Sequence, residues 1–513
     1  MTRLLLVTFT LLTIGVATSV NADDYEDCVR IVDPRSRIGS CTNVIEAGDV
    51  GDEAQRIPYF FRGNAYLVTG DLDLAIADFN RAIELDPDFV EALNFRGYAH
   101  HETNDYDRAI ADFDKAIGIF PDNTFALANR GVAYRDKGDF DRAIADFDKA
   151  IELNPEDAST VNSRGIAYSK RSDYDRAIAD YSLAIERDPD FTPAYRNRGN
   201  AYSDKGDFDR AIADYGEAIR LRPDAAGVYM NRGNSYHQSG DAERAILDYN
   251  EAARIKPDDA LVYYNRGLVH YDLGDFDRAI DDYDKTISLD PFIPQAYLKR
   301  GLVHRDMDDI NRAIADFAKA TGLDPDYEVA FYNSGNANFT KGDLKLAIAE
   351  YDKAIGLSPN FTQALLHRAV AHVYLGSLPE ARSDFESLKR QAPNNGYLGL
   401  WRHVAERRND LPGQLGDTVS SLDMDEWPAE IIRFYLGQST PEAVFAAAEV
   451  GDRNERINQI GQALFFLGEF ALLAGDNVEA KRLFERCVDD CEKRSVEYRA
   501  ALAELRQMTS DTD

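Results

Sequence analysis

The chain has 513 residues, with 58 basic and 90 acidic side chains, for a formal charge of −32. Such a surface repels nucleic acid and anionic membrane on average, which excludes nucleic-acid binding and favours basic partners.

The first segment reads as a secretory signal. Arg3 is the positive start, Leu4 to Val16 is an apolar run, and Val20-Asn21-Ala22 supplies small residues for cleavage after Ala22. The apolar run is shorter than the roughly 20 residues of a spanning helix. Cleavage removes Arg3 and no acid, leaving 57 − 90 = −33. Cys28 lies six residues past Ala22 without a lipid-attachment box, so no lipid anchor is expected, and no later stretch is apolar enough to span a bilayer. The expected destination is the periplasm or the exterior.

Residues 23–55 read as an N-terminal helical cap. Cys28 and Cys41 flank Asp33-Pro34-Arg35, and in an oxidising compartment they form a natural disulfide. Closing so short a loop stabilises the fold by about 3 kcal/mol.

A strict period follows. Gly63, Gly97, Gly131, Gly165, Gly199, Gly233, Gly267, Gly301 and Gly335 recur every 34 residues, and Ala369 continues the series. Ten prolines, from Pro87 to Pro393, keep the same step. Ten units therefore fill residues 56–395 without insertion or deletion. Each reads as two helices. In the third unit helix A is expected over Thr124 to Lys137 and helix B over Phe140 to Leu153. Gly138 ends the first, Asp139 and Asp141 start the second, and Pro155 closes it. The small residues Gly131 and Ala143 allow close approach, and Phe147 packs one turn after Ala143.

These glycines, alanines and prolines at a 34-residue step resemble the tetratricopeptide repeat family. The resemblance implies an all-α fold, a right-handed superhelical solenoid of helix-turn-helix units. One position departs from the family pattern. The residue before the helix A glycine, usually leucine, is arginine in nine units, including Arg130, Arg164, Arg198 and Arg232, with Ser334 as the exception. Helix B carries aspartate in nine units, including Asp146, Asp180, Asp214 and Asp248, and Glu350 in the unit of Ser334. This co-occurrence predicts a ladder of Arg–Asp pairs inside the stack. So many near-identical copies suit architecture, not an active site.

Residues 396–513 read as a C-terminal helical region. Tyr397 to Arg408 is an amphipathic helix, Asp410 to Asp425 a polar connection, and Trp427-Pro428 opens a helix through Leu436, followed by Pro441 to Val450. Leu467-Gly468, Gly475-Asp476, Ala480 and Phe484 form a degenerate eleventh unit, and Glu497 to Met508 a capping helix. Cys487 and Cys491, four apart near a helix end, leave two readings open: a bridge, or two small buried apolar residues. This tail resembles that of bacterial envelope TPR scaffold lipoproteins, apart from the missing lipid box.

The family resemblance further implies that helix A residues line a concave binding groove. By position these are Asn94, Tyr98, His101, Arg135, Asn162, Lys170, Arg196, Asn200 and Asn234, a polar set, and Met230, Tyr264, Leu268, Tyr271, Leu298, Leu302, Tyr332 and Phe339, an apolar and aromatic set. Exposed aromatics in such a groove suit peptide or helix capture, and packing against neighbouring helices or the chain's own tail is the competing reading. Histidines His100, His270, His304 and His372 occupy a helix A position usually held by tyrosine and are expected to be core. No metalloprotease, dithiol, nucleophile-elbow or phosphate-loop motif occurs, so no catalysis, cofactor or metal is expected. The expected function is a scaffold binding proteins or peptides of the cell envelope. The alternatives are a self-assembling structural or secretion-assembly component and a regulatory domain of an envelope enzyme.

Overall fold

The computed structural model describes residues 22–48, 51 and 54–510. The expected leader, apart from Ala22, lies outside them. The chain divides into two compact units, between Ile255 and Lys256.

The first unit opens with α1 (Ala22–Arg30) and α2 (Pro34–Ala47). Asp33 caps α2 by accepting from the Ser36 amide at 2.8 Å. Cys28 and Cys41 are joined, with a Cα–Cα separation of 4.7 Å. Both sulfurs are buried with Val44 against Phe61 of the next helix.

Six helix pairs follow: α3 (Arg56–Thr69) with α4 (Leu72–Leu85), α5 (Val90–Glu102) with α6 (Tyr106–Ile119), and α7 (Thr124–Lys137) with α8 (Phe140–Leu153). Then come α9 (Ala158–Lys170) with α10 (Tyr174–Arg187), α11 (Thr192–Asp204) with α12 (Phe208–Leu221), and α13 (Ala226–Gln238) with α14 (Ala242–Ile255). The local reasons are visible in α7 and α8. Gly138 adopts φ 91°, a left-handed conformation that glycine reaches at low cost. That turn lets its own amide and that of Asp139 bond the Arg135 and Tyr134 carbonyls, at 2.9 and 2.8 Å. Asp139 then accepts from the Arg142 amide at 3.2 Å and starts α8. Ala143 and Phe147 are buried, and an added Cβ on Gly131 would lie 2.7 Å from the Phe147 ring.

The arginines tie these pairs together. Arg130 donates from Nε and Nη2 to both oxygens of Asp146, at 2.8 and 2.6 Å. Arg164 does the same to Asp180 at 2.9 and 2.6 Å, Arg198 to Asp214 at 2.8 and 2.7 Å, and Arg232 to Asp248 at 2.7 and 2.7 Å. All four carboxylates are buried. The remaining Nη1 reaches back to helix B of the preceding pair: Arg130 to Asp114 at 2.5 Å, Arg164 to Asp148 at 2.6 Å, and Arg198 to the Ser182 hydroxyl at 2.9 Å. At the start of the row, Arg62 reaches Thr42 of α2 at 3.1 Å.

The second unit carries four pairs: α15 (Ala260–Asp272) with α16 (Phe276–Leu289), α17 (Pro294–Asp306) with α18 (Ile310–Leu323), α19 (Glu328–Lys341) with α20 (Leu344–Leu357), and α21 (Thr362–Leu375) with α22 (Leu378–Gln391). Its tail is α23 (Gly396–Arg407), α24 (Leu415–Thr418), α25 (Ala429–Tyr435), α26 (Pro441–Ala448), α27 (Arg453–Leu473), α28 (Asn477–Asp490) and α29 (Val496–Ser510). The expected polar connection thus contains a short helix. Cys487 and Cys491 are bridged, with a Cα–Cα separation of 5.1 Å. Of the two readings the bridge is the one observed: α28 ends at Asp490, and Cys491 is already extended, at φ −76° and ψ 151°, which frees the pair from helical spacing. Among the described residues the fold is all-α, with pair stacked on pair inside each unit, and no helix is long and apolar enough to cross a membrane.

Two stability measurements check this account. Arg198→Leu strands the buried Asp214 carboxylate and is expected to lose about 3–5 kcal/mol in denaturant unfolding. Adding Asp214→Leu should recover at least half, and simple additivity of the two changes would sink the ladder. Gly131→Ala is expected to cost about 1–3 kcal/mol, because Phe147 must move. Gly39→Ala, inside α2 with nothing within 4 Å of the new methyl, should instead gain up to about 1 kcal/mol.

Candidate functional site

In the first unit the inward-facing residues of α5, α7, α9, α11 and α13 form a polar row. Near its start the His101 ring lies 2.9 Å from the Asp136 carboxylate, which also accepts from Arg135 Nε at 2.8 Å. Burial disfavours the Asp136 charge, yet these two partners outweigh it and hold the group at about 2. Asn94 and Asn162 are buried, so neither lines an open surface. Tyr98 is half-buried, and Lys170 and Arg196 are exposed.

Side-chain amides carry the centre of the row. Asn197 donates to Asn162 Oδ1 at 3.0 Å, and Asn231 donates to Asn200 Oδ1 at 2.9 Å. From beneath, the Tyr215 hydroxyl donates to Asn200 Oδ1 at 2.8 Å and the Tyr249 hydroxyl to Asn234 Oδ1 at 2.7 Å. Both Tyr215 and Tyr249 are buried. Each amide oxygen is thereby fixed inward. The Nδ2 groups of Asn200 and Asn234 meet no protein acceptor among the described residues, and both side chains are half-exposed. Met230 is half-buried beside them.

In the second unit the equivalent surface is largely filled. Leu298 (4 % exposed) and Phe339 (1 %) are core. Tyr332 stacks on His367 at 5.2 Å, lies 4.9 Å from Phe361 and is packed into the core cluster. Leu302 packs against the core that includes Leu298 and Phe317, and Tyr264 lies 6.1 Å from the Tyr283 ring. Leu268 is half-buried. The Tyr271 hydroxyl donates to Asp306 at 2.6 Å and accepts from Arg494 at 2.8 Å, and burial with the Asp306 contact pushes it up to about 12. The expectation of an open apolar groove at Leu298, Tyr332 and Phe339 is therefore corrected. At Tyr332 and Phe339 the cause is α29, which packs on α19 and α21, and at Leu298 it is the neighbouring repeat helices, through Ala313, Phe317 and Ala330. Arg499 reaches the His367 ring at 3.3 Å, and Arg506 donates to the Thr340 carbonyl. Asn336, one residue after its helix A glycine like Asn200 and Asn234, accepts from Tyr351 and His367, both at 2.8 Å, and is buried.

Residues missed in the sequence are Asn197, Asn231, Asp136 and the tail arginines. Asn197 and Asn231 had a signal, since asparagine recurs just before the arginine at Asn129, Asn197, Asn231 and Asn265. Among the described residues no group of three or more metal-ligating side chains is placed to hold an ion.

This geometry defines a repeat scaffold with an inward amide row. Family models described as tetratricopeptide repeats match residues 62–124, 125–157, 158–191, 260–292, 298–360, 332–396 and 461–486. A model described as TPR repeat matches residues 199–240 and 233–274. The matches cover well over half of the chain, and it belongs to the tetratricopeptide repeat family. Among solved structures, a tetratricopeptide repeat protein from Parabacteroides merdae is similar at 21 % identity, covering 48 % of this chain and 96 % of that one, with a TM-score of 0.41. YrrB, described as a TPR protein with an unusual peptide-binding site, is similar at 27 % identity over 36 % of this chain and 95 % of that one, with a TM-score of 0.32. Pseudomonas aeruginosa pilF is similar at 16 % identity over 42 % and 97 %, with a TM-score of 0.37.

Burial separates the two candidate sets in a measurable way. Phe339→Ala is expected to cost about 3–5 kcal/mol, as a core truncation does. Met230→Ala, at a half-exposed position, should cost under about 1 kcal/mol. Denaturant unfolding of both variants checks the difference.

Proposed function

We propose that the chain is a protein-binding scaffold, not an enzyme, and that it holds an extended peptide segment along α11 and α13. The observation that supports this is the fixed orientation of Asn200 and Asn234. Their oxygens are held by Tyr215 and Tyr249, so their Nδ2 groups stand ready as donors. An extended backbone presents carbonyl acceptors that such donors can bond without reading side chains. Arg196, exposed on the same helix, adds a charge that favours an acidic residue nearby. The bridged Cys28–Cys41 pair and the signal-like start support an exported, envelope location for that partner.

A displayed random-peptide library tests the reading. Peptides selected by the wild-type chain should bind Asn200→Ala/Asn234→Ala at least about ten-fold more weakly, the effect of two lost hydrogen bonds near 1 kcal/mol each. Asp141→Asn, on helix B, should leave binding unchanged. Peptides indifferent to the double change would remove the amide row from the function.

A further inference from the structure

Glu504 of α29, Glu469 of α27 and Arg408, just past α23, meet in one buried cluster. Glu469 is 0 % exposed and Glu504 1 %. Arg408 donates to the two Glu469 oxygens at 2.9 and 3.1 Å, and it also pairs with Glu504. Tyr374 of α21 closes the cluster: its hydroxyl lies 3.4 Å from Glu469, and its ring lies under the Arg408 guanidinium at 5.0 Å. Two ionised carboxylates and one guanidinium would leave a net negative charge where water does not reach. One proton on the carboxylates balances the charge and supplies a donor.

We propose that α29 is a gate over the inner face of α19 and α21, clamped shut when Glu504 of α29 enters the Arg408–Glu469 pair carrying a proton. The occupant of that face is thus the chain's own last helix. What it covers supports the idea. Asn336, Tyr332 and Phe339 lie beneath it, and Asn336 holds the register of the amides left half-exposed at Asn200 and Asn234.

The direction of the pH response follows from the groups around the clamp. Burial, then the Glu469 charge, raise Glu504 from its ordinary 4.5 to about 8, against the pull of Arg408. A raised carboxyl binds its proton more tightly when closed, so its contribution to closure is full below 4.5, falls about tenfold per pH unit as pH rises from there towards about 8, and is gone above it. Glu497 of α29, which accepts from Tyr397 of α23 at 2.6 Å, is also raised by burial and acts in the same sense. His367 is lowered by burial and by Arg499, so it opposes closure only at pH below its ordinary 6.5 and is neutral in both states above pH 7. Tyr374, Tyr397 and Tyr435 are all pushed above the usual tyrosine range by burial and stay neutral. The pairs Lys493–Asp308 and Arg494–Asp306 lie outside the cluster on more exposed side chains.

Amide hydrogen exchange on the full chain from pH 7 to 9.5, corrected for intrinsic rates, tests the gate without any partner. Protection of Val496–Ser510 should fall about tenfold between pH 7 and about pH 9 and then level off, while α7 and α8 keep theirs. Glu504→Gln removes the titrating group and should take away most of the fall, leaving only the share of Glu497, and Glu469→Gln, which removes the charge that raises Glu504, should move the fall to lower pH. A flat wild-type profile overturns the proposal, as does a fall shared by α7 and α8. So does an undiminished fall in Glu504→Gln, and where a variant does not fold the wild-type profile decides alone.

Discussion

One side-chain geometry organises both units: a guanidinium shared between two helices B. Arginine has five donors in a planar fork, so Nε and Nη2 can satisfy one carboxylate while Nη1 stays available. In Arg130 the first two close the hairpin on Asp146 and the third reaches Asp114 of the preceding hairpin. Lysine, a single point charge, could not register two neighbours at fixed angles. Buried pairs of this kind add little net stability, but a mismatch leaves an uncompensated charge, so they select one stacking register. The pair changes only as a set. Where Ser334 replaces the arginine, Ala318 stands in place of the reaching partner, and Glu350 turns outward to Lys353 at 3.5 Å. No buried carboxylate is left behind.

Much of this architecture was legible because a strict period constrains every level together. The same 34-residue step places the glycine under its aromatic ring, the caps at the helix ends and the arginine opposite its aspartate. The second partner of each arginine was less legible. Its position holds Asn80, Asp114, Asp148, Ser182 and Gly216, so identity varies while place does not. The ladder also runs one step past the strict repeats. Arg402, 34 residues after Arg368, pairs with Glu386 at 2.7 Å, although the surrounding motif has faded. Cys491 escaped for a local reason: a helix boundary one residue earlier changes what a four-residue spacing means.

The groove was legible as a set of positions but not as a surface. Phe339 and Tyr332 do face inward, yet α29 returns to cover them from more than 150 residues away in sequence. No local pattern encodes that contact. Its traces are polar residues inside an apolar context: Glu497, Arg499 and Glu504, all nearly inaccessible, sit on a helix whose apolar inward residues are Val496, Tyr498, Ala500 and Ala501. Such groups are costly to bury unless partnered, and their partners Tyr397, His367 and Arg408 lie on other segments of the second unit.

Asparagine one residue past the helix A glycine has two fates, set by what lies above it. In all three cases a tyrosine from helix B of the same pair fixes the amide oxygen. At Asn336 a histidine takes the second lone pair and the tail seals the site, so the amide becomes core. At Asn234 no described residue of the first unit takes that role, and at Asn200 the second lone pair is used by Asn231, a neighbour in the same row. The tyrosine beneath recurs across the repeats and cannot discriminate partners. Selectivity has to come from the variable inward positions beside it, Arg135, Arg196 and Met230 among them, where adjacent repeats differ in charge and shape while the frame that holds them does not.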